Sequence, residues 1–190
     1  MQAEIGVLAL QGDFEAHARA LQRVGAKPRE VRTKNDLEAI DALIIPGGES
    51  TTMLKLLAAE DLLAPLRAFG ERKPIFGTCA GAILLASEVL HPRQDSLALM
   101  DLTIERNGYG RQIDSRIAQI DMQGRPAEAV FIRAPVIRRA GPEATVLATY
   151  HGDPVLVEQG RHLAATFHPE LTDNVDIHRY FVSKVEHTLD

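Results

Sequence analysis

Cys79 stands between two glycines, in Gly77-Thr78-Cys79-Ala80-Gly81, and the apolar pair Ile75-Phe76 leads into it. The layout is that of a strand, a sharp turn and a helix with small residues on both sides of a nucleophile. The G-x-S-x-G turn of serine hydrolases uses this geometry, because small neighbours admit a strained backbone that presents the nucleophile above a sheet. A sulfur at the first turn of a helix also faces aligned N–H groups, which favour the reactive thiolate. The same pentapeptide fits a second reading, a small buried cysteine with glycines placed for packing.

A cysteine nucleophile needs a base, and the base needs an orienter. Phe167-His168-Pro169-Glu170 offers both at the end of the apolar run Leu163 to Phe167. Residues two apart on an extended chain point to one side, so Glu170 can reach the His168 imidazole. Pro169 biases His168 toward an extended backbone. The alternative is a histidine that ends a strand beside a solvated glutamate. Of the seven histidines, His91, His151, His178 and His187 are expected in turns or on exposed helix faces, and His162 starts a strand. Their spacing suggests no metal site.

Three further stretches carry usable chemistry. Pro46-Gly47-Gly48-Glu49-Ser50 follows an apolar strand, and its glycines let backbone N–H groups approach a ligand or a developing oxyanion. A plain strand–helix turn explains the segment equally well, and it lacks the lysine of a P-loop. Arg106 opens the polar stretch Arg106-Asn107-Gly108-Tyr109-Gly110-Arg111-Gln112 and could grip a carboxylate, although a solvated loop suits these residues too. Ile132-Arg133, before Ala134-Pro135, poses the same choice.

The elements that must position these groups follow from the apolar pattern. Ile5–Leu10, Pro28–Arg32, Ala42–Ile45 and the run into Gly77 read as strands; Phe14–Val24, Met53–Leu57, Leu62–Phe69 and Ala82–Leu90 read as helices. Asp13 is the expected N-cap of the first helix and Gly25 its stop. Strands alternating with helices predict a parallel sheet covered on both faces, with functional residues beyond the carboxyl ends of the strands. Gln11, Gly47-Gly48 and Cys79 all fall at such ends. In the second half, Leu97–Ile104, Ile117–Ile120, Ala129–Ile132, Thr145–Tyr150, Pro154–Val157 and His162–Phe167 read as closely spaced strands, with hairpins near Gly152-Asp153 and Gln159-Gly160. A last helix is expected over Asp176–Thr188. The expectation is an α/β three-layer sandwich with a mostly parallel central sheet and a small antiparallel extension, forming one domain over residues 1–190.

Composition narrows the function classes. The 190 residues suit one substantial core, and a net charge of −5 gives no nucleic-acid surface. No apolar run approaches the ~20 residues that span a bilayer. Met1-Gln2-Ala3-Glu4 lacks the basic start and apolar middle of a signal peptide. With one cysteine and no internal disulfide, a cytoplasmic location is expected.

Taken together, LALQGDFEAH, IPGGESTT, FGTCAGAILLA, ERNGYGRQIDS, FIRAP and TFHPELT resemble, in order and from end to end, the glutaminase subunits of pyridoxal 5′-phosphate synthase. These are class I, triad-type glutamine amidotransferases with a flavodoxin-like α/β fold. GTCAG with a later HPE marks the broad class; LQGD, PGGEST, RNxYGRQ and FIRAP mark the vitamin B6 branch. The resemblance implies Cys79 as nucleophile, His168 as acid–base and Glu170 as orienter. It implies glutamine contacts from Gly47, Gly48, Glu49, Arg106, Ile132 and Arg133. Gly48 and Ala80 would supply oxyanion donors, with Gln11 beside that loop. It implies L-glutamine hydrolysed through a glutamyl thioester, with no metal and no organic cofactor. The ammonia would pass to a separate synthase subunit in a hetero-oligomeric complex. Two departures, Ala16 where the family often has Glu and Arg116 where an aromatic often follows, are expected to concern the partner-facing surface. The rivals are a glutaminase that feeds another synthase, a partner-independent cysteine hydrolase of γ-glutamyl bonds, and a non-enzymatic subunit; the intact Cys, His and Glu set disfavours the last.

Overall fold

The computed structural model describes residues 2–107 and 115–189. Residues 108–114, which include Gly108 to Gln112 of the RNGYGRQ stretch, lie outside them. In chain order the elements are β1 (Glu4–Leu8), α1 (Phe14–Arg23), β2 (Lys27–Val31), α2 (Lys34–Glu38), β3 (Ala42–Ile45), α3 (Ser50–Ala59), α4 (Leu63–Gly70), β4 (Ile75–Thr78), α5 (Ala80–Leu85) and β5 (Ala86–Leu90). Then come β6 (Met100–Glu105), β7 (Ser115–Met122), β8 (Arg125–Ile132), β9 (Val136–Ala140), β10 (Thr145–Tyr150), β11 (Asp153–Gln159), β12 (His162–Ala165), a 3₁₀ turn (Pro169–Leu171) and α6 (Asp176–Leu189).

A nine-stranded sheet runs β2-β1-β3-β4-β12-β11-β10-β7-β8. It is parallel from β2 through β12 and antiparallel from β12 outward. Its central strands β3, β4 and β12 are buried at every position and apolar except for Thr78 and His162, as suits strands covered on both faces. Alternate residues of β3 serve different cores: Leu43 and Ile45 face α2 to α5, whereas Ala42 and Ile44 face α1 and α6. The result is a three-layer α/β architecture. Both predicted hairpins are present, joining β10 to β11 and β11 to β12.

Asp13 caps α1 by accepting from the Ala16 N–H at 3.0 Å, and the chain leaves the helix through Gly25 at φ +83°. Thr33 and Asp36 form a capping box on α2, a short helix that the apolar pattern does not announce.

Two expectations need correction. The helix after Cys79 ends at Leu85, and Ala86–Leu90 is a strand rather than a continuation. Val89 suits the extended chain, and the segment finds a parallel partner in β6 that local spacing could not reveal. β6 therefore does not join the antiparallel extension. With β5 and the unanticipated β9 it forms a separate three-stranded sheet over the α2–α5 side. Among the described residues, no helix is long and apolar enough to cross a membrane.

The close approach of α5 to the sheet rests on Gly81, where an added Cβ would sit 2.1 Å from the Ile45 carbonyl oxygen. Gly25 has a left-handed backbone but open space around it. Gly81→Ala should therefore lower Tm by about 5–10 °C, corresponding to a loss of roughly 3 kcal/mol. Gly25→Ala should lower it by only about 2–5 °C, the effect of a left-handed residue alone. Thermal denaturation of the two variants checks the ranking, and equal losses would contradict it.

Candidate active site

The site forms where the loops after β1, β3, β4 and β12 meet. β4 and β12 are parallel neighbours, with Ala165 opposite Thr78, and the Cys79 N–H donates to the Ala165 carbonyl at 2.8 Å. The chain turns sharply at Cys79, which adopts φ +51° and ψ −106° before α5 begins. A non-glycine residue in this region is strained by about 1–3 kcal/mol and persists only where its surroundings hold it. Here the Ile83 N–H donates to the Cys79 carbonyl, and Gly77 and Gly81 allow backbones to touch: a Cβ on Gly77 would lie 2.4 Å from Gly81. The predicted strand–turn–helix presentation is present.

β12 ends at Ala165, and three residues later the chain delivers His168. His168 Nδ1 lies 2.6 Å from Glu170 Oε1, and the imidazole and the Cys79 side chain both border the Gly47 Cα, close enough for the sulfur to raise the ring's pKa. Cys79, His168 and Glu170 thus form one connected set. The Glu170 side chain is 1% exposed and the His168 side chain 11%. Burial alone would push the imidazole toward its neutral form. The neighbouring Cys79 side chain and the hydrogen bond to Glu170, with the charges of both, outweigh that effect and raise its pKa to about 10. An imidazolium facing the sulfur at neutral pH is the arrangement that stabilises a thiolate.

Gly47 and Gly48 come over the same spot from β3. A Cβ on Gly47 would sit 2.5 Å from His168 Cε1 and 3.4 Å from the Cys79 Cβ, so only glycine admits this approach. Gly48 has φ +136°, and a Cβ there would meet Gln11 Oε1 at 2.7 Å. Gln11 Oε1 accepts from the Glu49 N–H at 3.2 Å, which ties the loop after β1 to the glycine loop. Ala80 is the buried first residue of α5, immediately after the nucleophile candidate.

Glu49 caps α3, accepting from the N–H groups of Thr51 and Thr52 and from the Thr52 hydroxyl, and it accepts from Arg106 Nη2 at 2.9 Å. Its modest burial works against ionisation, but the Thr52 and Thr51 donors prevail and lower its pKa to about 2. The two predicted glutamine contacts Glu49 and Arg106 are therefore bonded to each other. The Ile132 carbonyl lies 3.9 Å from Cys79 Sγ. Arg133 follows with φ +45° and an exposed side chain. Among the described residues no group of three or more His, Cys, Asp and Glu side chains is arranged to hold a metal ion.

Two readings of single residues change. His178, expected on an exposed face, is fully buried. His178, Phe181, Val182 and Val185 recur at the spacing of one helix face, so the apolar stripe of α6 held the signal. Ala16, expected on a partner-facing surface, is buried on the inward face of α1. His17, which received no role from its sequence context, lies beside Glu170.

The chain matches the SNO glutamine amidotransferase family over residues 7–187. It belongs to that family. A relative from Solibacter usitatus (strain Ellin6076), "Pyridoxal 5'-phosphate synthase subunit PdxT", is 58% identical over 190 residues, covering 96% of this chain and 99% of the relative. A solved structure described as a glutamine amidotransferase superposes with a TM-score of 0.90 at 47% identity, covering 96% of this chain and 98% of its own. A chain of the PurLQS structure from Thermotoga maritima, 16% identical, shares the fold with a TM-score of 0.70 over the full length of both chains.

Because the amidotransferase has one cysteine, iodoacetamide labelling followed by mass spectrometry reports Cys79 alone. With the His168 pKa raised to about 10, an imidazolium faces the sulfur across neutral pH. His168→Ala should slow labelling more than about tenfold at pH 6.5. Equal rates in the wild type and His168→Ala would show that no ion pair exists.

Proposed function

We propose that the protein is the glutaminase subunit of a pyridoxal 5′-phosphate synthase, acting in the cytoplasm as a single amidotransferase domain. The observation that carries the reading is the connected Cys79–His168–Glu170 set beneath the Gly47-Gly48 loop. Membership of the SNO family and the near full-length likeness to pyridoxal 5′-phosphate synthase subunits support the acceptor chemistry.

In this mechanism the Cys79 thiolate attacks the side-chain amide carbon of L-glutamine. The carbonyl π electrons move onto oxygen, and the backbone N–H groups of Gly48 and Ala80 receive the resulting oxyanion. As the tetrahedral adduct collapses, the C–N bond breaks and the His168 imidazolium gives its proton to the departing nitrogen. Ammonia leaves and a glutamyl thioester remains. Neutral His168 then takes a proton from water as the water attacks the thioester, and collapse releases glutamate and the sulfur. Glu170 keeps the imidazole oriented and stabilises its charged form. Arg106, Glu49 and the Ile132-Arg133 segment hold the amino-acid end of the substrate. Ammonia passes to a synthase subunit in a hetero-oligomeric complex, where it supplies the nitrogen of pyridoxal 5′-phosphate. The chemistry as written calls on no metal and no organic cofactor.

Glutamate and ammonia release should be measured for the purified chain, alone and with a pyridoxal 5′-phosphate synthase subunit. Activity with the synthase that vanishes in Cys79→Ala supports the assignment. Full activity without it would indicate a partner-independent hydrolase. Glu170→Gln should lower kcat by about 10²–10⁴-fold, because the imidazole loses the carboxylate that orients it. Gly48→Ala, which must displace Gln11, should lower kcat by about 10²–10³-fold while leaving Cys79 labelling by iodoacetamide close to wild type.

A further inference from the structure

Behind the candidate triad lies a second layer of polar groups that the mechanism above does not use. His17 of α1 and His178 of α6 are both fully buried, 161 residues apart in the chain, and His17 Nδ1 lies 2.9 Å from His178 Nε2. The other nitrogen of His17, Nε2, is 3.3 Å from Glu170 Oε2 and 3.4 Å from the Thr78 hydroxyl. Glu170 Oε2 is the oxygen turned away from His168. It is buried and makes no aligned hydrogen bond among the described residues, and His178 Nδ1 is in the same position. We propose that His17 and His178 are positioning residues for Glu170: His17 directs an Nε2–H at the carboxylate, and His178 fixes that tautomer by donating its own Nε2–H to His17 Nδ1. The inference rests on the assignment of Cys79, His168 and Glu170 as the triad.

The tautomers follow from accounting for each nitrogen. If His17 carries its proton on Nε2, a donor stands 3.3 Å from the carboxylate oxygen and within reach of the Thr78 hydroxyl, Nδ1 accepts from His178, and His178 Nδ1 is left as a bare acceptor. If His17 carries it on Nδ1 instead, a nitrogen lone pair faces a carboxylate oxygen at 3.3 Å, and the Thr78 hydroxyl at 3.4 Å is the one donor that could meet it among the described residues. His178 must then bear its proton on Nδ1, where no partner meets it. Buried donors without partners are rarer and more costly than buried acceptors without them. The first arrangement avoids both penalties.

Neutral rings suit this task. Burial, reinforced by the nearby His178 and His168, holds the pKa of His17 well below the ordinary histidine value, and burial lowers that of His178 to about 4. A charged His17 would compete with His168 for the field of one carboxylate, whereas a neutral donor orients Glu170 and leaves its charge to His168. The need for a brace is local. Glu170 sits on a 3₁₀ turn of three residues, with neither a helix nor a strand of its own to fix it. α1 and α6 supply the rigidity from behind.

The test uses the intact chain labelled with ¹⁵N-histidine. Long-range ¹H–¹⁵N spectra at neutral pH should show Nε2–H tautomers at both His17 and His178, assigned by the signals missing from His17→Gln and His178→Gln. An Nδ1–H tautomer at His17 overturns the proposal. In the synthase-coupled assay His17→Leu should lower kcat about 10²-fold with KM within about threefold, since a shift of roughly 1 Å behind a catalytic group is enough for such a loss. His17→Gln, whose amide N–H can replace Nε2–H, should recover at least tenfold. Equal losses in Leu and Gln, or a wild-type kcat in Leu, overturn it. The rate of Cys79 labelling at pH 6.5 should fall in Leu and recover in Gln. Because the spectra and the labelling need no glutamine turnover, they judge the brace even if glutamine hydrolysis itself is not found.

Discussion

The parallel pairing of β4 with β12 is the constraint on which the site depends. The two strands are distant in sequence, yet their carboxyl ends emerge side by side, with Ala165 opposite Thr78. One strand delivers the sulfur and the other the imidazole, and the bond from the Cys79 N–H to the Ala165 carbonyl fixes their relative height. Any slip in this register would separate the pair by a residue's rise, about 3.3 Å, well beyond hydrogen-bond tolerance. The hairpins β10–β11 and β11–β12 return the chain to the slot beside β4 from which, in the proposed reading, His168 can serve Cys79.

The pairing explains why strain at Cys79 is sustainable. The left-handed turn opposes the local preference of the chain, and two kinds of support hold it. Hydrogen bonds secure the peptide on both sides of the sulfur, and Gly77 and Gly81 let α5 lie against the ends of β3 and β4. A larger residue at either glycine would lift α5 and relax the turn. The strain, the glycines and the strand order are therefore one device, and the absence of any one would leave the sulfur aimed elsewhere.

Much of this was legible in the residues themselves. Buried parallel strands are short apolar runs, so Ala42–Ile45 was readable to its ends, and the Gly-rich and Cys-containing stops mark where the sheet meets the site. His168 and Glu170 were legible as a pair because they stand two residues apart, although the chain joins them through a 3₁₀ turn rather than the extended segment expected. Contacts between distant segments were not. Nothing near Ala86–Leu90 shows that β6 waits as a partner, so its helix-forming residues read as helix. Nothing near His17 shows that Glu170 lies against it, and the stripe of α6 places His178 inside without naming its neighbour. Likewise Glu49 and Arg106 read as independent substrate contacts, while their mutual bond spans 57 residues.

That last pair bears on how the loop after β3 can be both firm and receptive. Both oxygens of Glu49 are engaged, Oε1 by the Thr51 N–H and Arg106, Oε2 by the Thr52 N–H and hydroxyl. The carboxylate stays ionised at any physiological pH, and its work is to fix the start of α3 and hold Arg106 in place. Arg106 has five N–H donors and gives Glu49 one of them. A guanidinium so anchored loses little further freedom when it takes a second carboxylate, which lowers the entropic cost of binding. In the proposed reading the Glu49–Arg106 bond does not need to break for glutamine to bind. Glu49 acts on the substrate through the arginine it holds, and the loop that carries Gly47 and Gly48 keeps its position over Cys79 while the amino-acid end is gripped.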